Sequence, residues 1–159
     1  VAMTNDSPEQ GGEALRAVAR ELGARTLDEL DPPAWPPAPE DASRLVRTAH
    51  ALRSVPLVDL DAEALRLLVA QQVALPVTVP LALGVLGENP LAEGDFYPGD
   101  LLMAVLAVPA PYWRGNPVHA QALRDVVTRL DPTDPDYPVL GEGDVLARTV
   151  ADFLARLRD

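Results

Sequence analysis

Seventeen prolines, spread from Pro8 to Pro138, restrict this 159-residue chain to short helices. Each removes a backbone donor and clashes with the preceding helical turn, so proline fits a first turn and breaks an interior. Central strands are excluded for the same reason. Val77-Thr78-Val79 is the best stretch for one, and it is too short and hemmed by Pro76 and Pro80.

The segments between prolines carry helix signals. Ser7-Pro8-Glu9-Gln10 reads as a capped start, followed by a stripe of Leu15, Val18, Ala19 and Leu22 with Gly23 as the stop. Thr26-Leu27-Asp28-Glu29 is a second capping box opening a short turn. Asp31 to Pro39 must then run extended, with Trp35 as its one large anchor. A helix over Asp41–Ser54 turns Leu45, Ala49 and Leu52 inward. Asp61 caps the next, Ala62–Gln72, in which Arg66 is the one polar residue between Ala64 and Ala70.

Pro76 and Pro80 restart the chain into Leu81–Leu86, and Leu101–Val108 is an apolar helix closed by Pro109 and Pro111. Asn116-Pro117 caps a helix with Val118, Leu123, Val126, Val127 and Leu130 inward and an Asp125–Arg129 pair outside. The last helix begins near Asp144, with Leu146, Val150, Phe153, Leu154 and Leu157 opposite a ladder of Arg148, Asp152 and Arg156. The expectation is all-α: a single compact domain over residues 7–159, built of about six or seven short helices joined by Pro-rich loops. Residues 1–6 are expected to be unstructured, with Val1-Ala2 ahead of Met3 reading as an addition to the natural start.

The chemistry of common sites is missing. There is no cysteine, so neither disulfide nor thiolate metal site is available, which fits a reducing cytosol. His50 and His119 are far apart and read as boundary residues, so no metal site and no cofactor are expected. Phosphate-binding glycine loops and the serine-hydrolase elbow are absent. Asp95 and Asp100 read as cap and helix-dipole partners rather than as an acid–base pair, and no catalytic residue and no small-molecule substrate are expected. No apolar run approaches the roughly 20 residues of a membrane span, and no charged-then-apolar leader opens the chain. The expected location is the cytoplasm.

Charge carries more. Arginine supplies all 13 basic residues against 24 acids, for a net charge of −11. Such a chain repels nucleic acid and anionic membrane and attracts basic partners. No arginine lies between Arg66 and Arg114, or between Leu130 and Ala147. Within the first gap, Glu88 to Leu102 is a loop with four acids beside Phe96 and Tyr97, turned by Gly94 and Gly99 and stiffened by Pro98. A stiff loop of acids and aromatics suits an Arg- or Lys-rich protein. Phe96 reads as packing between helices.

Leu65-Arg66-Leu67-Leu68-Val69-Ala70-Gln71, Pro80-Leu81-Ala82-Leu83 and the run Asn89-Pro90-Leu91-Ala92-Glu93-Gly94-Asp95-Phe96-Tyr97-Pro98-Gly99-Asp100-Leu101-Leu102 resemble the bacterial contact-dependent growth inhibition immunity proteins. Leu27 to Leu30, Trp35-Pro36, Leu52-Arg53, Pro56-Leu57 and Val108 to Trp113 extend the likeness across Thr26–Trp113. The sequence departs at Gln72 to Leu75, where a glycine is expected near the end of the central helix. The resemblance implies a non-catalytic cytoplasmic protein that neutralises a cognate toxin domain, a basic ribonuclease in some systems, by stoichiometric binding. The expected toxin-facing residues are Glu93, Asp95, Tyr97 and Asp100, with Asp131, Asp134 and Asp136 as a second candidate. The alternatives are a non-catalytic scaffold for another basic partner, or an enzyme using clustered carboxylates.

Overall fold

The computed structural model describes Ala17 and residues 20–159. Residues 1–6, the Ser7 cap and most of the first predicted stripe lie outside those residues. Among the described residues there are eight named α-helices, one 3-10 turn and no named strand. They are α1 (Leu27–Leu30), α2 (Arg44–Leu52), α3 (Ala62–Ala70), α4 (Leu75–Glu88), α5 (Asp100–Leu106), α6 (Ala110–Gly115), α7 (Pro117–Thr128) and α8 (Val145–Arg158), with the turn at Leu57–Asp59. None is long and apolar enough to cross a membrane.

The caps follow from local sequence. Thr26, Ser43, Asp61 and Asp144 each accept a backbone N–H three residues on, satisfying donors that a helix start leaves open. Ser43, not Asp41, starts α2. Asn116 differs from the expectation: its side chain makes no cap and instead donates to the Tyr112 carbonyl at 2.8 Å.

α3, α4 and α5 pack on one another at the centre. α7 lies against α4, α8 against α5 and α6, and α2 against α3. Leu65 and Leu68 of α3, Val79, Leu83 and Leu86 of α4, and Leu101, Leu102 and Leu106 of α5 are essentially inaccessible, joined by Leu123, Trp113 and Phe153. Trp113 donates its indole N–H to Val108 O at 3.0 Å and meets Phe153 edge-on at 5.5 Å. Such a contact adds about 0.5–1.5 kcal/mol beyond the burial itself.

Pro80 does not interrupt α4. The helix runs from Leu75 straight through it, with Pro76 in the first turn. The cost of an interior proline is offset because α4 is buried against α3, α5 and α7, and tertiary packing overrides local propensity. The turn into α4 is where the sequence lacked an expected glycine. Gln72 and Ala74 both take left-handed backbone, with φ of 56° and 47°. Thr78, fully buried, secures that turn by donating towards the Val73 and Ala74 carbonyls at 3.0 and 3.2 Å.

Several side chains lie elsewhere than periodicity suggests. Leu45 and Val118 are exposed, because no element among the described residues covers those turns of α2 and α7. α6 was not expected as a separate helix; Pro111 occupies its first turn, as α4's Pro76 does. The Asp125–Arg129 pair does not form. Asp125 accepts from Gln121, and Arg129 donates to the Leu86 and Gly87 carbonyls at the end of α4. Arg156 likewise leaves its predicted ladder for Leu106 O at 2.7 Å, and Arg148 donates to Glu142 O. A cation at a helix C-terminus meets the negative end of its dipole, worth about 0.3–1 kcal/mol.

Candidate functional site

The acidic loop after α4 is built by carboxylates from below. Asn89 starts it, its side-chain oxygen accepting from the Leu91 amide at 3.1 Å. Gly94, Asp95 and Phe96 then present three consecutive amide N–H groups inward. Asp100 takes the first on Oδ1 at 2.6 Å and the third on Oδ2 at 3.1 Å. Glu63, from α3, takes the middle one on Oε2 at 2.9 Å. A Glu93–Pro98 bridge closes the ends, and the Asp100 amide donates to Tyr97 O.

Two glycines are dictated by this arrangement. A Cβ on Gly94 would sit 2.5 Å from Glu63 Oε2 and 3.0 Å from Asp100 Oδ2, inside the carboxylates that hold the loop. Gly99 has φ of 93°, a left-handed conformation that favours glycine.

Asp100 is therefore not a surface acid. It is 4% exposed, and its carboxylate turns back to the preceding loop rather than capping α5. Glu93 and Asp95 are exposed, and Tyr97 is half-buried. Burial and the nearby Asp100 charge raise the Tyr97 phenol above its ordinary range, so it stands neutral at physiological pH. Phe96 differs most from expectation. It is not packed between helices but 67% exposed, with the Arg66 guanidinium 4.5 Å over its ring centroid. Arg66 is itself clamped by both oxygens of Glu63, with its Nε at 2.7 Å from Oε2.

The second acidic segment is a run of turns. Asp131 accepts from the Thr133 amide and hydroxyl at 2.9 and 2.7 Å, and Asp134 accepts from the Asp136 amide at 2.8 Å. The Thr133 hydroxyl and amide hold the Asp131 carboxyl below its ordinary value. All three acids are exposed. Tyr137 donates to Asp144, and burial together with that carboxylate pushes its phenol up to about 12. The two segments adjoin: an added Cβ on Gly99 would lie 3.5 Å from Pro138 Cγ. Asp100, next in the chain to Gly99, is buried, while Glu93, Asp95, Asp131, Asp134 and Asp136 are exposed.

A third polar cluster was not anticipated. Arg53, at the end of α2, has a fully buried side chain bonded to Asp28 Oδ1 and Asp31 Oδ2 at 2.9 Å each and to Asp31 O at 2.6 Å. Trp35 stacks on it at 4.5 Å and donates its amide to Asp28, while His50 pairs with Pro36 O at 2.8 Å. The extended Pro-rich segment is thereby fastened to α2. The sequence signal was Asp28 and Asp31 three apart beside a lone tryptophan. Neither histidine gathers ligands, and no three metal-binding groups converge among the described residues.

These networks set an acid response. Hydrogen bonds from Arg66 lower the Glu63 carboxyl despite burial, with the Asp95 amide adding to them. Asp28 is pushed up by burial, but the Trp35 amide, Arg53 and Ser54 outweigh this and bring it below its ordinary value. Burial lowers the His119 imidazole, which pairs with the Tyr112 hydroxyl at 2.8 Å. All three pKa values are depressed by folding, so their stabilisation is complete above the unfolded values and lost as pH falls. Urea midpoints should therefore fall in two stages, first below about pH 6.5 and then below about pH 4. His119→Gln should remove the first stage alone; midpoints flat from pH 7 to 5 in the unaltered protein would refute this.

The comparison with curated proteins returned no match, nor did that with solved structures. A family described as CDI immunity proteins matches residues 29–123, more than half of the chain. That span runs from α1 into α7 and contains the Glu63–Asp100 loop clamp and all of the Arg53 cluster but Asp28. The chain belongs to the family of contact-dependent growth inhibition (CDI) immunity proteins.

Proposed function

We propose that this protein neutralises a cognate toxin domain by binding it one-to-one through the acidic face formed where the 93–100 loop meets the 131–144 segment. The toxin is basic, and a ribonuclease fits best, since a cleft that holds RNA is lined with cations. The protein performs no chemistry and needs no cofactor; it covers the toxin's active cleft or its RNA path. The setting is the cytoplasm, where the toxin would reach RNA.

The observation that supports this reading most is the carboxylate clamp. It spends Asp100 and Glu63 on three backbone amides and leaves Glu93 and Asp95 outside on a fixed loop. Fixed charges steer association, and a loop already ordered loses little entropy when it docks.

Calorimetry and stopped-flow binding to the toxin domain encoded beside this chain, with RNA cleavage followed in parallel, test it. Joint Glu93→Gln and Asp95→Asn substitution should slow association about tenfold at low salt and much less at moderate salt, because exposed charges are screened. Asp134→Asn with Asp136→Asn tests the second segment in the same way. Tight binding that neither pair alters would remove the acidic face from the proposal. Absence of any complex would remove the immunity role, and a complex with a toxin that cleaves no RNA would remove the ribonuclease.

A further inference from the structure

Phe96 is the large apolar side chain that the clamped loop holds into solvent. Val58, Val118 and Val139 are also exposed, but their side chains are smaller and no carboxylate is seen holding their amides. The backbone under the ring is held at its own amide by Asp100 and at the two preceding amides by Asp100 and Glu63. One face of the ring is backed by Arg66, which the Glu63 carboxylate fixes through two contacts. Glu93 and Asp95, on the same loop, are exposed acids.

We infer that Phe96 is the anchor of the toxin complex, an aromatic knob that enters an apolar pocket whose rim carries Lys or Arg. This rests on the immunity reading and adds the residue that supplies its affinity. Buried aromatics set inside a polar rim supply most of the binding free energy of an interface, while rim charges set encounter rate and partner choice. Arg66 holds the ring from behind at cation–π distance, so the knob is stiff as well as exposed. Arg66 is a positioning residue: it acts on the toxin through the ring.

The test compares binding of the purified cognate toxin domain to the unaltered protein and to Phe96→Ala, Phe96→Tyr and Arg66→Lys. Phe96→Ala should weaken binding at least about 30-fold, through faster dissociation, and the loss should persist in high salt. Phe96→Tyr should keep most of the affinity, since the ring remains. Arg66→Lys should lie between them. Thermal melts of Phe96→Ala should match the unaltered protein, which excludes unfolding as the cause. Binding within threefold for Phe96→Ala, while the unaltered protein binds tightly, overturns the anchor and leaves the immunity role intact. No complex with the unaltered protein overturns both. A dimer of the unaltered chain that Phe96→Ala dissolves assigns the ring to self-contact and also overturns the anchor.

Discussion

Replacing Arg53 by methionine is expected to lower the unfolding free energy by about 3 kcal/mol, the scale of breaking a buried ion pair from one side. Methionine fills most of the stem's volume and supplies none of the donors. Asp28, whose side chain is 19% exposed, then loses its cation and keeps only the Trp35 amide and Ser54 hydroxyl as donors. Asp31 is half exposed and rehydrates, which places the loss at the lower end of the buried-pair range. Trp35 loses its stacking partner, so its fluorescence should shift to the red while Trp113, buried against Phe153, stays unchanged. Arg53→Lys retains the charge without the planar fork and should lose about half as much. A urea transition moved by less than about 0.5 kcal/mol, the ordinary size of a surface substitution, would show that the cluster does not fasten the segment.

Asp100→Ala should cost about 2–4 kcal/mol, because two backbone amides lose a charged acceptor at a site nearly closed to water. The effect should be local in a way hydrogen exchange can read. The Gly94 and Phe96 amides should exchange much faster, while the Asp95 amide, held by Glu63, changes less. If the loop faces the toxin as proposed, affinity should fall with it, since the loop must then be ordered on binding. Asp100→Asn keeps one acceptor oxygen but turns an N–H₂ towards the other amide, and should fall between the two. Equal exchange at all three amides would mean that Glu63 and Asp100 do not divide the loop as their geometry implies.

Features decided within one turn of chain were legible in the sequence. The Thr26 and Asp61 caps, the start of the last helix near Asp144, the all-α class and the buried apolar residues of α3 on either side of Arg66 needed no distant partner to be read. Features decided by a choice between local and distant partners were not. Arg129 and Arg156 had local acids within reach and went instead to carbonyl groups ending α4 and α5, where the geometry of two packed helices concentrates unsatisfied acceptors. Periodicity put Leu45 and Val118 inside because it records which residues share a face, not whether another element covers it. Pro80 was read as a break because its lost donor is visible in sequence and the burial that offsets it is not.

The loop shows the same limit from the other side. Its acids and glycines identified the segment, but sequence could not sort the acids by role. Asp95 and Asp100 are five residues apart and chemically alike, yet one lies outside and the other holds the loop from within. Glu63, which completes the clamp, is 32 residues from the amide it accepts. The reading of Phe96 followed the rule that large apolar residues go inside, and the ring is 67% exposed on the clamped loop.

Because backbone amides are the groups being clamped, the loop's path is specified by Glu63, Gly94 and Asp100 and is indifferent to what the side chains at 93, 95 and 96 display. On the proposed toxin-facing reading, shape and message are carried by different residues. Substitutions at the outer positions would then change which toxin is recognised while the underlying frame keeps its stability, so a lineage meeting a new toxin could alter its specificity without first having to refold its scaffold.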